Sequence, residues 1–121
     1  PKGGRLLVVD DRTVAYLDIR GSGNETARHG EAGGPVTVMV MSMDEDAAIV
    51  RCYGHATATP VEESPHADAL LADAIDGLAL RQVITVEVSA TQTSCGYGVP
   101  RFDFVSRRSR AERGTAYKVS T

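Results

Sequence analysis

The chain has 121 residues, of which 42% are hydrophobic, and it carries a formal net charge of −3. This length favours one domain with one core, and the interrupted apolar runs exclude a membrane span of about 20 residues. The slightly acidic balance gives no electrostatic reason to expect nucleic acid as a partner, and the three histidines are too scattered to predict a metal site.

The first predicted elements are two short strands that form a hairpin. RLLVV (5–9) and TVAYLD (13–18) are apolar runs rich in β-branched residues, and the turn signal DDR separates them. The glycine-rich turn GSGNET (21–26) follows, and a short predicted helix, ETARHGEA (25–32), overlaps its end. Gly30 weakens the helix prediction because glycine is a poor helix former.

The turn GSGNET has two interpretations. Ser22 and Glu25 match a capping box, in which a hydroxyl and a carboxylate satisfy backbone N–H groups at the start of a helix. The same N–H groups, together with donors on Ser22, Asn24 and Thr26, are also suited to bind a phosphate. Lys2 would add a positive charge if its strand lies beside this turn. The residues alone leave both interpretations open.

The next predicted strands form a second hairpin and a long closing strand. PVTVMVMSM (35–43) and AAIVRCYGHATAT (47–59) flank the acidic turn DED, which is typical of a hairpin. RQVITVEVSATQT (81–93) alternates apolar and polar residues, as a half-buried strand does. RFDFV (101–105) predicts a last short strand.

One further helix is predicted over SPHADALLADAID (64–76). Ser64 is a suitable N-cap, and Pro65 occupies the first helical position, where its missing N–H group does no harm. An apolar stripe at helical spacing supports the prediction, and it comprises Leu70, Leu71, Ala74, Ile75 and Leu78.

The two cysteines, Cys52 and Cys95, lie in or beside predicted strands. The chain has no CxxC spacing and no secretory signal, so buried free thiols in a cytoplasmic protein are favoured over a disulfide.

This order of elements predicts an α+β fold dominated by antiparallel pairing. No alternation of strand and helix is visible, which argues against a doubly wound nucleotide-binding fold. Strands of this number and length would curl or close to cover their edges, so we expect a small β-barrel with one or two helices outside it. Residues 106–121 carry four arginines and little apolar periodicity, and they predict a solvated basic tail.

Several strings of the sequence resemble the pyridoxamine 5'-phosphate oxidase-like family of flavoproteins. PKG at the start, VAYLD, GSGNET, VRCYGHATATP and QTSCGYGVP occur in the family's order, and the likeness runs from Lys2 to about Val105. GSGNET and QTSCGYGVP are the more specific strings, and they look closest to an uncharacterised bacterial branch. The resemblance implies a split β-barrel over residues 1–105 that dimerises and binds FMN at the subunit interface. It also implies that the strands which normally precede PKG are missing from this sequence.

The resemblance also implies a set of cofactor-binding residues. The backbone of Tyr16 and Leu17 would lie along the isoalloxazine ring. Three side chains of the glycine-rich turn would hold the FMN phosphate, and Lys2 would meet the phosphate or the substrate. Arg51 matches a basic position on the central strand, although an exposed strand arginine fits it equally well. The full predicted set is Lys2, Tyr16, Leu17, Ser22, Asn24, Thr26 and Arg51.

Two departures from the family pattern bear on function. Ser22 and Gly23 replace the family's Arg and Lys in this turn. Neutral donors hold a phosphate less strongly than charged ones. The alternatives to an ordinary FMN site are therefore a weaker FMN site or a site for a deazaflavin. The chain has no Trp, so oxidation of pyridoxamine phosphate itself is not expected. Cys95 and Tyr97 lie in the segment that resembles the one closing over the flavin, but a packed thiol and a loop aromatic explain them as well.

The sequence therefore predicts a cytoplasmic, homodimeric, FMN-dependent oxidoreductase that acts on an unidentified small substrate. The alternative is a non-catalytic binding module for a flavin, deazaflavin or haem-related ligand, or a dimeric barrel without a cofactor. No catalytic residue is predicted, because the sequence offers no paired carboxylates and no histidine near the inferred site.

Overall fold

A computed structural model of the chain describes residues 5–20, 24–75, 77 and 79–107. Within these residues the elements are five strands, two α-helices and one turn of 3-10 helix. In chain order they are β1 (Leu7–Asp10), β2 (Thr13–Ile19), α1 (Glu25–Glu31), β3 (Pro35–Met41), β4 (Ile49–Thr59), the 3-10 turn (Val61–Glu63), α2 (Ala67–Leu71) and β5 (Leu80–Ser94).

The five strands form one antiparallel sheet in the order β1-β2-β5-β4-β3. The 15-residue strand β5 lies at its centre and pairs with both β2 and β4. One row across these three strands joins Tyr16, Ile84 and Ala58. Both predicted hairpins and the long strand are confirmed.

Each face of the sheet carries its own apolar cluster. One cluster includes Ala27 of α1 packed on Ile84 and Val86 of the sheet, and the other includes Leu70 of α2 packed on Leu17. The sheet is therefore a central layer with one helix on each side. The predicted α+β class is confirmed, and the antiparallel, barrel-like sheet with two flanking helices is consistent with a split barrel.

Gly30 explains why α1 lies so close to the sheet. A Cβ atom at this position would overlap with the carbonyl oxygen of Ala56 in β4, so the missing side chain allows backbone-to-backbone approach. The residue that weakened the helix prediction is thus one that the packing of the helix requires.

The second predicted helix is much shorter in the structure. Helix α2 spans only Ala67–Leu71, and its N-cap is His66, not Ser64. The Ser64 hydroxyl oxygen instead accepts the N–H of His66 at 3.2 Å in the turn before the helix. At Ala74 the hydrogen bond spans three residues instead of the four of an α-helix, because its N–H donates to the Leu71 carbonyl at 3.2 Å. Leu70 is buried but Leu71 is 41% exposed, so only part of the predicted apolar stripe is packed.

Two further predictions are wrong. The segment RFDFV (101–105) is not a strand: its residues are exposed, and the N–H of Phe102 donates to the Met43 carbonyl at 2.9 Å without a continuing ladder. The cysteines are free, as predicted, but they are not fully buried: Cys52 is half-buried and Cys95 is exposed.

In the part of the chain that the structure describes, no helix has the length and apolar character needed to cross a membrane.

Replacing Gly54 with Ala is expected to destabilise the fold by roughly 2–3 kcal/mol. Gly54 lies at a register shift of β4 against β5, and an added Cβ would overlap with the carbonyl oxygen of Glu87. The matched control is Gly98→Ala, where nothing lies within 4 Å of the added atom. Urea denaturation measures both free energies of unfolding. Equal effects of the two substitutions would contradict this account.

Candidate functional site

An open cleft lies between α1 and the sheet. Its volume is about 580 Å³, within the range of about 300–1,000 Å³ common for small-molecule sites. Valine side chains from two strands form an apolar floor, and residues of α1 form a more polar wall. The lining residues are Tyr16, Glu25, Thr26, Arg28, His29, Ala32, Val36, Thr37, Val38 and Val86.

The Tyr16 hydroxyl is the half-buried polar group on the sheet side of this cleft. Burial raises its pKa above the ordinary 10.0, and the nearby Asp18 carboxylate acts in the same direction. A side-chain hydrogen bond with Thr26 opposes these effects and ties β2 to the first turn of α1. The phenol therefore stays protonated at neutral pH and can donate a hydrogen bond.

His29 also lines the cleft, which corrects the expectation that no histidine lies near the site. It follows Thr26 by three positions on α1, so the two side chains share one helix face. Its ring lies against Gly34, where an added Cβ atom would overlap with it. The spacing of three residues between Thr26 and His29 in the predicted helix was the signal in the sequence that could have placed His29 near the site.

Among the residues that the structure describes, no three His, Cys, Asp or Glu side chains are grouped so that they could hold a metal ion.

A polar cluster lies on the same strand as Tyr16, at the end of β2. The Asp18 carboxylate accepts the Arg81 Nε–H at 2.8 Å and the Gln82 amide N–H at 2.8 Å. The same Gln82 nitrogen also donates to the Asn24 side-chain oxygen at 3.2 Å. These contacts fix the Asn24 amide with its oxygen toward Gln82, which leaves its NH₂ group to donate elsewhere.

Arg81 contains an unsatisfied group within this polar cluster. Hydrogen bonding to Asp18 raises the pKa of the guanidinium, which is therefore a permanent cation. Its Nη2 atom is buried and has no hydrogen-bond partner among the described residues. A buried donor without a hydrogen-bond partner is destabilising.

The predicted site residues fall into separate groups. Tyr16 and Thr26 meet in the cleft, and Asn24 joins the polar cluster beside it. The Leu17 side chain is 1% exposed and belongs to the apolar cluster on the α2 side, so only its backbone is available to a ligand in the cleft. Lys2 and Ser22 lie outside the described residues. Of the two interpretations of this turn, the capping box would place the N-cap at Ser22, whereas the N-cap of α1 in the structure is Asn24.

Arg51 faces away from the cleft of its own chain. Its neighbour Cys52 pairs with Val38, which packs on the α1 side of the sheet, and successive strand residues point to opposite faces. The Arg51 Nη1 atom lies 3.4 Å from the Ser94 hydroxyl. Cys95 and Tyr97 are both exposed, and neither belongs to the lining of the cleft.

Comparison with known proteins gives one curated relative. The chain is similar to ustO of Aspergillus flavus, described as a pyridoxamine 5'-phosphate oxidase family protein, with 33% identity over 107 residues. The similarity covers 85% of this chain and 43% of the relative, so the chain spans less than half of the relative's length. No protein-family model and no solved structure matches the chain.

The raised pKa of Tyr16 predicts a pH-dependent effect of Tyr16→Phe on stability. The unfolded phenol ionises near pH 10.0, but the folded one ionises only above it, so its stabilising contribution is fully present below pH 10 and is lost at higher pH. The free energy of unfolding of the wild type should therefore fall relative to Tyr16→Phe as the pH rises above 10. Urea denaturation at pH 8 and at pH 10.5 measures this difference.

Tyr97→Phe is the matched control, because the Tyr97 ring is 90% exposed. A Tyr16→Phe difference that stays constant across this pH range would mean that the cleft does not shield the phenol.

Proposed function

The chain belongs to the pyridoxamine 5'-phosphate oxidase family, and on that premise we propose that it is an FMN-dependent oxidoreductase for a small organic substrate. The observation that carries the proposal is the apolar cleft with convergent hydroxyl groups beside α1. Because the chain spans less than half of its relative, the proposal concerns the part of the protein given by this sequence.

The residues of the cleft fit a planar ring that bears a polar chain. Val36, Val38 and Val86 offer an apolar surface, which suits an aromatic ring system. Tyr16 and Thr26 supply hydroxyl groups at its side, and a few placed polar groups are what orients a ligand in an apolar pocket. A bound flavin supplies the redox chemistry, and the protein supplies binding, orientation and access.

We assign the cofactor-binding roles as follows. Tyr16, Thr26 and the backbone of Leu17 bind the cofactor from the sheet and the helix wall. Asn24 donates through its NH₂ group, because its oxygen is already used by Gln82. Lys2 and Ser22 keep their proposed roles at the anionic end of the cofactor.

Arg51 can contact a bound cofactor only in the site of a second subunit. Its side chain points away from the cleft of its own chain, so it would act in the site of a second subunit. A homodimer also agrees with the exposed apolar residues Met39, Val40 and Met41 on β3, which is an edge strand.

The second candidate is a flavin or deazaflavin binding module without catalysis. It is favoured by the exposure of Glu25, Arg28 and His29, the three ionisable residues on the α1 side of the cleft. An exposed acid or base is less readily tuned for proton transfer than a buried one. Reduction of the bound flavin by NADPH or by candidate amines distinguishes the two functions, because a binding module would leave the flavin oxidised.

Val38→Phe is expected to weaken FMN binding at least about tenfold, equivalent to about 1.4 kcal/mol. Val38 lines the floor of the cleft, so the larger phenylalanine ring would occupy part of the space in which the cofactor would bind. Quenching of flavin fluorescence during titration measures the dissociation constant, and the unfolding temperature of each variant shows that it is folded.

Val40→Phe is the control, because Val40 lies two positions along the same strand and the same face but outside the cleft. It should change the affinity less than about twofold. If both variants bind FMN like the wild type, the cofactor does not occupy this cleft. If the wild type binds no flavin, the proposed function is wrong.

A further inference from the structure

Arg28 is a cation on the α1 wall of the cleft, and its side chain is exposed. Glu25 and Glu31 lie three positions before and after it, a spacing at which opposite charges on a helix often pair. Nevertheless, its guanidinium forms neither an ion pair nor a side-chain hydrogen bond with another described residue. Within the described part of the chain, its donors are therefore available to a ligand in the cleft.

The carboxylates near the cleft are directed at a different cation. Asp18 pairs with Arg81, and the Glu25 carboxylate also acts electrostatically on the Arg81 guanidinium. Arg28 therefore lines the cleft without a counter-charge of its own. One guanidinium balances one carboxylate, whereas a phosphate monoester carries a charge of about −1.5 to −2 and would meet Glu25 on the same wall.

The side of the cleft that faces this wall carries no charge. The strands contribute Val36, Val38 and Val86, which are apolar, and the hydroxyl of Tyr16, which stays protonated at neutral pH. A ligand that matches both sides has an apolar body for the floor and one anionic group for Arg28.

We propose that Arg28 is a specificity-determining residue that binds a carboxylate group of the substrate, so that the substrate is an organic acid with an apolar body. Arginine suits this task because its planar donors match the two oxygens of a carboxylate in pairs. The assignment of this acid as the substrate of a flavin enzyme rests on the proposed function, whereas carboxylate binding in the cleft does not.

The first experiment uses 2-naphthoate and 2-naphthamide as probes, because they share one ring system and only the first is charged. Titration calorimetry of the flavin-loaded wild type should show tighter binding of 2-naphthoate by about fivefold, the size expected for an exposed charge pair. Arg28→Gln should weaken 2-naphthoate by about the same factor and 2-naphthamide by less than about twofold. Wild-type protein that binds both probes equally, or binds neither, overturns the proposal.

A structural role for Arg28 predicts a different result. A cation in the last turn of α1 also interacts favourably with the helix dipole, and its loss could alter the wall as a whole. Arg28→Gln would then weaken both probes equally, which overturns the proposal.

Arg12→Gln is the matched control. It removes the same charge from an exposed turn outside the cleft, so it should leave both affinities unchanged. A loss of the preference for 2-naphthoate with Arg12→Gln would mean that net charge, not Arg28, selects the acid.

Flavin titrations distinguish this proposal from binding of the cofactor itself. Arg28→Gln should change the affinities for FMN and riboflavin by less than about twofold, because Arg28 is assigned to the substrate. A selective loss of FMN affinity would assign Arg28 to the cofactor phosphate and overturn the proposal.

The same probes separate a failure of the proposed function from a failure of this inference. If the wild type binds no flavin, the proposed function is wrong, but the flavin-free protein should still prefer 2-naphthoate and lose that preference with Arg28→Gln. A flavin-free protein without this preference overturns the carboxylate site as well.

Discussion

The rest of the structure depends on one constraint: strand β5 pairs on both sides, and its first half is buried on both faces. Val83 packs toward α2, and Ile84 and Val86 pack toward α1, and all three are almost completely buried. A shift of one residue in register would exchange the two faces and expose both clusters. The register of this part of the sheet is therefore fixed, and with it the positions of Tyr16 and Asp18 opposite β5.

The candidate site uses this fixed register. Asp18 stands directly opposite Gln82, and the hydrogen bonds among Asp18, Gln82 and Asn24 connect the sheet to the first residue before α1. On the same face Tyr16 is joined to Thr26. The wall of the cleft is thus attached to its floor at two places. Such attachments reduce the ordering that ligand binding would otherwise require.

The parts of this structure that follow local rules could be predicted from the sequence. The hairpins and β5 have clear period-two patterns and turn residues, and the apolar runs gave the α+β class. Helix α2 is shorter than the pattern predicts, and within its bounds Leu70 is buried whereas Leu71 is 41% exposed. The segment at 101–105 has a strand pattern, but within the described part of the chain no strand pairs with it. The pairing of Arg81 with Asp18 joins residues 63 positions apart, and no local pattern encodes such a contact.

The contact of Gly30 with the Ala56 carbonyl has a consequence for how this scaffold can adapt. Helix α1 meets β4 through main-chain atoms at Gly30, and the small Ala27 side chain packs on the sheet nearby. No larger side chain fits at Gly30 unless the helix moves away from the sheet. A change in ligand size that leaves the helix in place would therefore be accommodated by the side chains that line the cleft.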